Sequence, residues 1–209
     1  MEKSINYYTR ASDLNDVDAQ LRLAQIYLNG VNGVKCDIKK SIYYYELAAN
    51  QNSADALLRL GCFYELGKYV NKDIKKAIYY YELAANQNEV NSLNQLGSIY
   101  SNEKLGIFNI NKAIYYYSLA ADQNDKNAQF QLGLLYYNYS HAPININKVI
   151  HYFSLAADQN HVMAQFNLGL IYHLGMNVPK NIEKAIYYYT QAAKQNDSEA
   201  NLKLGLIYY

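Results

Sequence analysis

The sequence has no tryptophan, and its 209 residues include only two prolines and two cysteines. Two cysteines, Cys36 and Cys62, are too few for a disulfide framework. The sequence also lacks a run of about 20 apolar residues, so no membrane-spanning helix is predicted. The first residues contain no apolar stretch of the kind that signal peptides carry, so the predicted compartment is cytoplasmic.

Neither basic nor acidic residues are in excess. The chain carries 19 basic and 18 acidic residues, which gives a net charge of +1. Proteins that bind nucleic acid or anionic membranes usually show a clear basic surplus. The balance therefore argues against both kinds of partner.

Catalytic motifs are missing as well. The sequence contains no phosphate-binding G-x-x-x-x-G-K-[ST], no G-x-S-x-G and no H-E-x-x-H. The four histidines, His141, His151, His161 and His173, do not show the spacing of metal ligands, and neither cysteine lies in a nucleophile motif. We therefore predict no enzymatic activity, no cofactor and no metal site.

Tyrosine and apolar residues are abundant instead. Half of the chain is apolar, enough for a continuous core, and there are 25 tyrosines. Asparagine, isoleucine and lysine are also frequent, which is the composition that an AT-rich genome favours. The sequence leaves open whether the tyrosines reflect codon bias or selection.

A tyrosine-rich phrase recurs along the chain at a nearly constant interval. AIYYYELAANQN occupies residues 77–88, and related phrases begin at Ser4, Ser41, Ala113, Val149 and Ala185. The starts are 37, 36, 36, 36 and 36 residues apart. A fixed period of this size indicates stacked units that contact mainly their neighbours.

A second phrase, A-x-x-x-L-G-x-x-Y, alternates with the first. It stands at residues 56–64, 128–136, 164–172 and 200–208, with close variants at 19–27 and 92–100. Its apolar residues fall on one face at helical spacing. We call this phrase helix A and the tyrosine-rich phrase helix B; their order predicts twelve helices and no strands.

Glycine recurs inside helix A, where it costs roughly 1 kcal/mol relative to alanine. It stands at Gly61, Gly97, Gly133, Gly169 and Gly205. We expect close approach of a neighbouring backbone there, with the paired alanines of helix B supplying the matching surface.

The ends of helix B carry capping residues. Asp37, Asp73, Asn109, Asn145 and Asn181 are predicted N-caps. Asn52, Asn88, Asn124, Asn160 and Asn196 are predicted to adopt the left-handed conformation that ends a helix. A basic column at the start of helix B (Lys40, Lys76, Lys112, Lys148 and Lys184) is predicted to be solvated rather than to bind phosphate.

The repeat resembles the Sel-like repeat family of tetratricopeptide-like proteins. The first full unit supplies Ala19, Leu23, Tyr27, Gly30, Gly33, Val34, Asp37, Lys40, Tyr44, Tyr45, Ala48 and Ala49 to that family's pattern. It departs from the pattern at Ala24 and Ser41, and asparagine replaces the closing glycine. The resemblance implies an all-α fold, a right-handed α/α superhelix (solenoid) of about twelve antiparallel helices.

We predict one domain over residues 1–209. It would comprise a partial repeat at 1–15, repeats at 16–52, 53–88, 89–124, 125–160 and 161–196, and a final helix A at 197–209. The resemblance implies a non-enzymatic scaffold or adaptor that binds protein partners on a concave surface. The alternative is an accessory or regulatory subunit of a larger enzyme or a membrane-associated quality-control complex. A hydrolase is disfavoured because nucleophile motifs are absent.

Two columns are candidate partner-binding residues. The outward ring of helix B gives Tyr43, Tyr79, Tyr115, His151 and Tyr187, an aromatic column of the residue type enriched in binding hot spots. Helix A gives the polar column Arg22, Arg59, Gln95, Gln131, Asn167 and Lys203, which would hold a peptide on the concave face. The alternatives are rings that merely cover neighbouring helices and an ordinary solvated stripe.

The two ends of the chain suggest self-association. The last helix A (residues 200–209) exposes apolar residues without a following helix B. It is expected to pair with the first helix B (residues 4–15) of a second copy, in a head-to-tail contact. The alternative is that the sequence is a fragment of a longer array.

Overall fold

The computed structural model describes residues 2–31, 33–139 and 145–209. Within these ranges the chain forms α-helices and one short 3₁₀ helix, with no strand, which confirms the all-α prediction. The helices are α1 (Glu2–Asp13), α2 (Val17–Asn29), α3 (Ile38–Asn50), α4 (Ala54–Leu66), α5 (Ile74–Ala85), α6 (Val90–Ser101), α7 (Ile110–Asp122), α8 (Lys126–Asn138), α9 (Ile146–Asp158), α10 (Val162–Leu174), α11 (Ile182–Ala193) and α12 (Ser198–Tyr208). Odd numbers are helix B and even numbers helix A. His141 lies outside the described residues.

Side-chain caps start the helices, as predicted for helix B. The side-chain oxygens of Asp37, Asp73, Asn109, Asn145 and Asn181 each accept the backbone N–H three residues later, at 2.9 to 3.2 Å. Each bond satisfies a donor that the first helical turn leaves unpaired. Helix A is capped in the same way by Asp16, Ser53, Asp125, His161 and Asp197.

Left-handed asparagines follow every helix B. Asn15, Asn52, Asn88, Asn124, Asn160 and Asn196 have φ between 59° and 65°. The five predicted positions are thereby confirmed. Asparagine tolerates this conformation better than other non-glycine residues, so the turn into the next helix A is short.

The structure divides into two compact units. The first runs from Met1 to Leu96 and the second from Gly97 to Tyr209. Within the first unit, helices α1 to α5 each pack on the next along the chain, and α7 to α12 do so within the second. The continuous single domain expected from the sequence stays a prediction.

Four of the five recurring glycines of helix A lie against aromatic rings rather than backbone. A Cβ on Gly61 or Gly169 would lie 2.5 Å from the ring of Tyr81 or Tyr189. The equivalent partners of Gly97 and Gly133 are Tyr117 and Phe153. The expected contact with neighbouring backbone and alanine pairs is wrong, because the last ring of the following Y-Y-Y triplet fills that space.

Candidate partner-binding surface

The three aromatic positions of each helix B have three different environments. The third ring is buried: Tyr45, Tyr81, Tyr117, Phe153 and Tyr189 are at most 4% exposed. The second ring is half-buried. The first is exposed by 55 to 58% at Tyr43, Tyr79, Tyr115 and Tyr187, and His151 takes the same exposed place in α9.

The half-buried ring stacks on a tyrosine of the preceding helix A. The pairs are Tyr27–Tyr44, Tyr64–Tyr80, Tyr100–Tyr116, Tyr136–Tyr152 and Tyr172–Tyr188, with centroids 5.6 to 6.0 Å apart and planes within 13°. The exposed ring packs edge-on against the half-buried ring at 5.1 to 5.4 Å. Such pairs contribute about 0.5–1.5 kcal/mol beyond their buried area. The exposed rings are thus held in place.

The lysine column of helix B covers the tyrosines of helix A. Lys40, Lys76, Lys112, Lys148 and Lys184 place Nζ 4.1 to 5.0 Å from the ring centroids of Tyr27, Tyr64, Tyr100, Tyr136 and Tyr172. Lys76 also donates to the Tyr64 hydroxyl at 2.6 Å, and this bond raises the pKa of Lys76. A cation over a ring face is favourable. These lysines therefore serve the packing of the repeat.

The polar column lies on helix A and is only partly exposed. Arg22 and Arg59 are exposed, whereas Gln95, Gln131, Asn167 and Lys203 are half-buried. Asn167 donates from Nδ2 to the carbonyl of Met163 at 2.7 Å. The polar and aromatic columns lie on different helices of the repeat, and their role in binding stays a prediction.

Sequence reasoning missed a set of glutamine bridges. Gln20, Gln129 and Gln165 are buried, and each accepts from the side chain of Gln51, Gln159 or Gln195, respectively, at 2.8 to 2.9 Å. Each bridge joins the start of a helix A to the end of the following helix B. The signal was present in the recurrence of glutamine at one slot of helix A, which leucine fills at Leu57 and Leu93.

A second missed feature surrounds Tyr81. Its hydroxyl donates to Glu65 Oε2 at 2.6 Å and lies 3.3 Å from Cys62 Sγ. Burial, together with these bonds, raises the pKa of Tyr81. The hydroxyl is therefore protonated at neutral pH and ties α5 to α4.

Open grooves run between successive B helices in each unit. In the first unit a groove of about 410 Å³ lies between α3 and α5 and is lined by Glu46, Asn50, Tyr79 and Tyr80, among others. In the second unit a groove of about 160 Å³ between α9 and α11 is lined by Asp158, Asn160, Tyr187 and Tyr188, among others. Tyr79 and Tyr187 occupy the same place in the repeat, so the two grooves share this ring. Their carboxylates differ in place, since Asp158 stands at the repeat position of Asn50 and not of Glu46.

Among the described residues, no group of three or more histidine, cysteine, aspartate or glutamate side chains could hold a metal ion. In the described part of the chain, every helix is too short or too polar to cross a membrane.

Six stretches of the chain match the Sel1 repeat: residues 1–16, 17–53, 54–89, 90–125, 126–161 and 162–197. The chain therefore belongs to the Sel1 repeat family, as the resemblance predicted. Proteins of this family are typically scaffolds for protein–protein interaction. No curated protein matches the chain.

Solved structures agree with this assignment. A protective antigen of uropathogenic Escherichia coli with an SLR fold is 32% identical, with a TM-score of 0.88, over 98% of this chain. This chain spans only 44% of that antigen's length. A Sel1 repeat protein from Oxalobacter formigenes is 30% identical, with a TM-score of 0.79, over 97% of this chain and 82% of its own.

Proposed function

We propose that this chain is a non-enzymatic scaffold that binds protein partners through the aromatic column of helix B. The observation that carries the proposal is the repeated exposure of Tyr43, Tyr79, Tyr115 and Tyr187, each more than half exposed and each held by an edge-on ring. Tyrosine offers a large contact area at low conformational cost and is enriched in binding hot spots. A ring already fixed in place loses little freedom on binding.

The polar column of helix A is proposed as a second contact, which would hold an extended peptide by hydrogen bonds. We place this adaptor role in the cytoplasm, and the two unpaired cysteines, Cys36 and Cys62, fit a reducing compartment. Pairing of α12 with α1 of a second copy stays a prediction. Light scattering tests it, since a strict monomer at micromolar concentrations would contradict it.

Replacing Tyr79 and Tyr115 together by alanine tests the aromatic column. A hot-spot side chain contributes more than about 1 kcal/mol, so capture of partners should fall at least about tenfold. Tagged wild-type and variant chains are used as bait in native cell extract, and the captured proteins are quantified by mass spectrometry. Helix content and melting temperature should hardly change, because both rings are exposed.

The matched control is Tyr7→Ala, since Tyr7 is 68% exposed and lies off the column. Equal capture by wild type and the double variant would reject the aromatic column as the binding surface. The captured set also separates the two functional classes. Several substoichiometric partners indicate a scaffold, whereas one stoichiometric large partner indicates an accessory subunit.

A further inference from the structure

The two grooves between B helices share one chemical pattern. Each has an exposed tyrosine on one helix B and a carboxylate on the preceding helix B: Tyr79 with Glu46, and Tyr187 with Asp158. Among the described residues that line the grooves, Glu46 is the one charged residue of the first and Asp158 of the second. Both grooves therefore offer negative charge beside an open ring.

The carboxylates act on the ring that adjoins the exposed tyrosine. Burial raises the pKa of Tyr188, and Asp158 adds a smaller contribution. Burial likewise raises the pKa of Tyr80. Lys76 opposes this rise, and Tyr64 and Glu46 add smaller contributions that raise it. Asp13 and Asp122 bear the same relation to the half-buried tyrosines of α3 and α9. A carboxylate thus acts on the second ring of four of the triplets, from one repeat position in Asp13, Asp122 and Asp158 and from another in Glu46.

The lysines at the start of α5 and α11 lie over rings of helix A. Lys76 Nζ lies 4.1 Å from the centroid of the Tyr64 ring, and Lys184 Nζ lies 4.8 Å from that of Tyr172. Both of these tyrosines belong to helix A. The pKa of Lys76 is raised mainly by its bond to Tyr64, with a smaller contribution from Glu46. No lysine or arginine is among the residues that line either groove in the described chain.

We propose that each groove binds an arginine or lysine side chain from an extended basic segment of a protein partner. The cation would lie on the exposed face of Tyr79 or Tyr187 and pair with Glu46 or Asp158. Charge complementarity and the attraction of a cation to a tyrosine face both favour this occupant. Guanidinium is the better fit, since it is planar, stacks on rings and pairs with carboxylates through two donors. The inference rests on the proposed function and names the chemistry of its partner.

Two synthetic peptides test the inference on the full chain. One is a fluorescent peptide with arginine at alternate positions, and the other has citrulline, which keeps the shape and removes the charge. Fluorescence anisotropy at low salt should show the arginine peptide binding at least about fivefold more tightly, and added salt should weaken it. Equal affinity for the two peptides would overturn the proposal without any variant being needed.

A paired charge-removal experiment locates the site. Glu46→Gln with Asp158→Asn should weaken binding of the arginine peptide by about fivefold or more. The control is Asp18→Asn with Glu199→Gln, which removes the same charge from two exposed first-turn positions of helix A. The control should stay within about twofold of wild type. Equal losses in the two double variants would show attraction by net charge alone and would overturn the site.

The failure of this inference is distinguishable from failure of the proposed function. If the Tyr79 and Tyr115 double variant loses its cellular partners while the Glu46 and Asp158 double variant keeps them, the aromatic column binds partners and the basic occupant is wrong. If both double variants keep their partners, both proposals fail. If both double variants lose their cellular partners and the wild type prefers the arginine peptide, the proposed function and the basic occupant are both supported.

Discussion

At the scale of single residues, the contact between a glycine and a ring is the clearest determinant of packing. Gly169→Ala would place a Cβ 2.5 Å from the ring of Tyr189, too close without movement of α11. Such overpacking costs about 1–3 kcal/mol, which exceeds the gain of up to about 1 kcal/mol from alanine in a helix. We expect the urea midpoint to fall, as followed by circular dichroism.

The control for that substitution is Gly205→Ala. Gly205 takes the same place in α12, but nothing lies within 4 Å of the added Cβ. It should be neutral or stabilise the protein by up to about 1 kcal/mol. The first repeat carries Ala24 at this slot, in one buried cluster with Tyr45. An unchanged urea midpoint for Gly169→Ala would therefore contradict the expectation and would show that the ring of Tyr189 moves aside.

Residue environments were partly predictable from periodicity. The outward direction of Tyr43, Tyr79, Tyr115 and Tyr187 follows from helical geometry alone. The ring that faces each glycine cannot be predicted in this way, because a helical wheel shows which face is buried but not which residue packs against it. The bridges of Gln20, Gln129 and Gln165 were missed for a related reason, since the recurrence of glutamine marks the slot but does not show which side chain donates to it.

At the scale of helices, the ends were the most predictable feature. Aspartate or asparagine before helix B and asparagine after it are local signals, and local hydrogen bonds are sufficient to explain them. The grooves between B helices were not predictable, because they depend on the spacing between helices 36 residues apart in sequence. Glu46 and Asp158 each come close to the tyrosines of their groove only because α3 lies beside α5 and α9 beside α11.

One substitution at a helix end tests the role of the left-handed asparagines. Asn88 has φ 61°, whereas Asn86, two residues earlier, has φ −63°. Asn88→Ala should destabilise the protein by about 1 kcal/mol, because alanine resists the left-handed conformation. Asn86→Ala, also exposed, should leave the urea midpoint unchanged. Equal effects of the two substitutions would show that the conformation at Asn88 is not the cause.

At the scale of the whole molecule, all four histidines lie in the second unit, residues 97–209. Burial lowers the pKa of His161 and of His173 below the usual 6.5. The folded state favours the neutral form of both imidazoles. These two histidines therefore cost no stability above pH 6.5. As pH falls below 6.5, the unfolded chain takes up protons that the folded chain resists, and stability is lost until the folded pKa is reached.

We therefore expect acidification from pH 7.5 to 5.5 to weaken the second unit more than the first. Hydrogen exchange measured by mass spectrometry, corrected for the intrinsic effect of pH, reports each unit separately. His161→Asp provides the control: aspartate caps the equivalent helices at Asp125 and Asp197, and it removes one titrating imidazole. Loss of protection shared equally by residues 2–96 and 97–209 would contradict the expectation.

The placement of each aromatic ring on the glycine of the preceding helix also has a genetic consequence. Within a unit, every such contact joins residues 20 positions apart, as Gly61 joins Tyr81 and Gly169 joins Tyr189. Unequal crossing-over that adds or deletes one whole period would recreate the same contact at its new junction. An indel of another length inside a helix would set a ring opposite the wrong residue. The loop from helix A to helix B does accept one extra residue, since Ala24 and Tyr45 pack in one cluster although they lie 21 positions apart. The gene is therefore free to change length mainly in whole-period steps or in these loops.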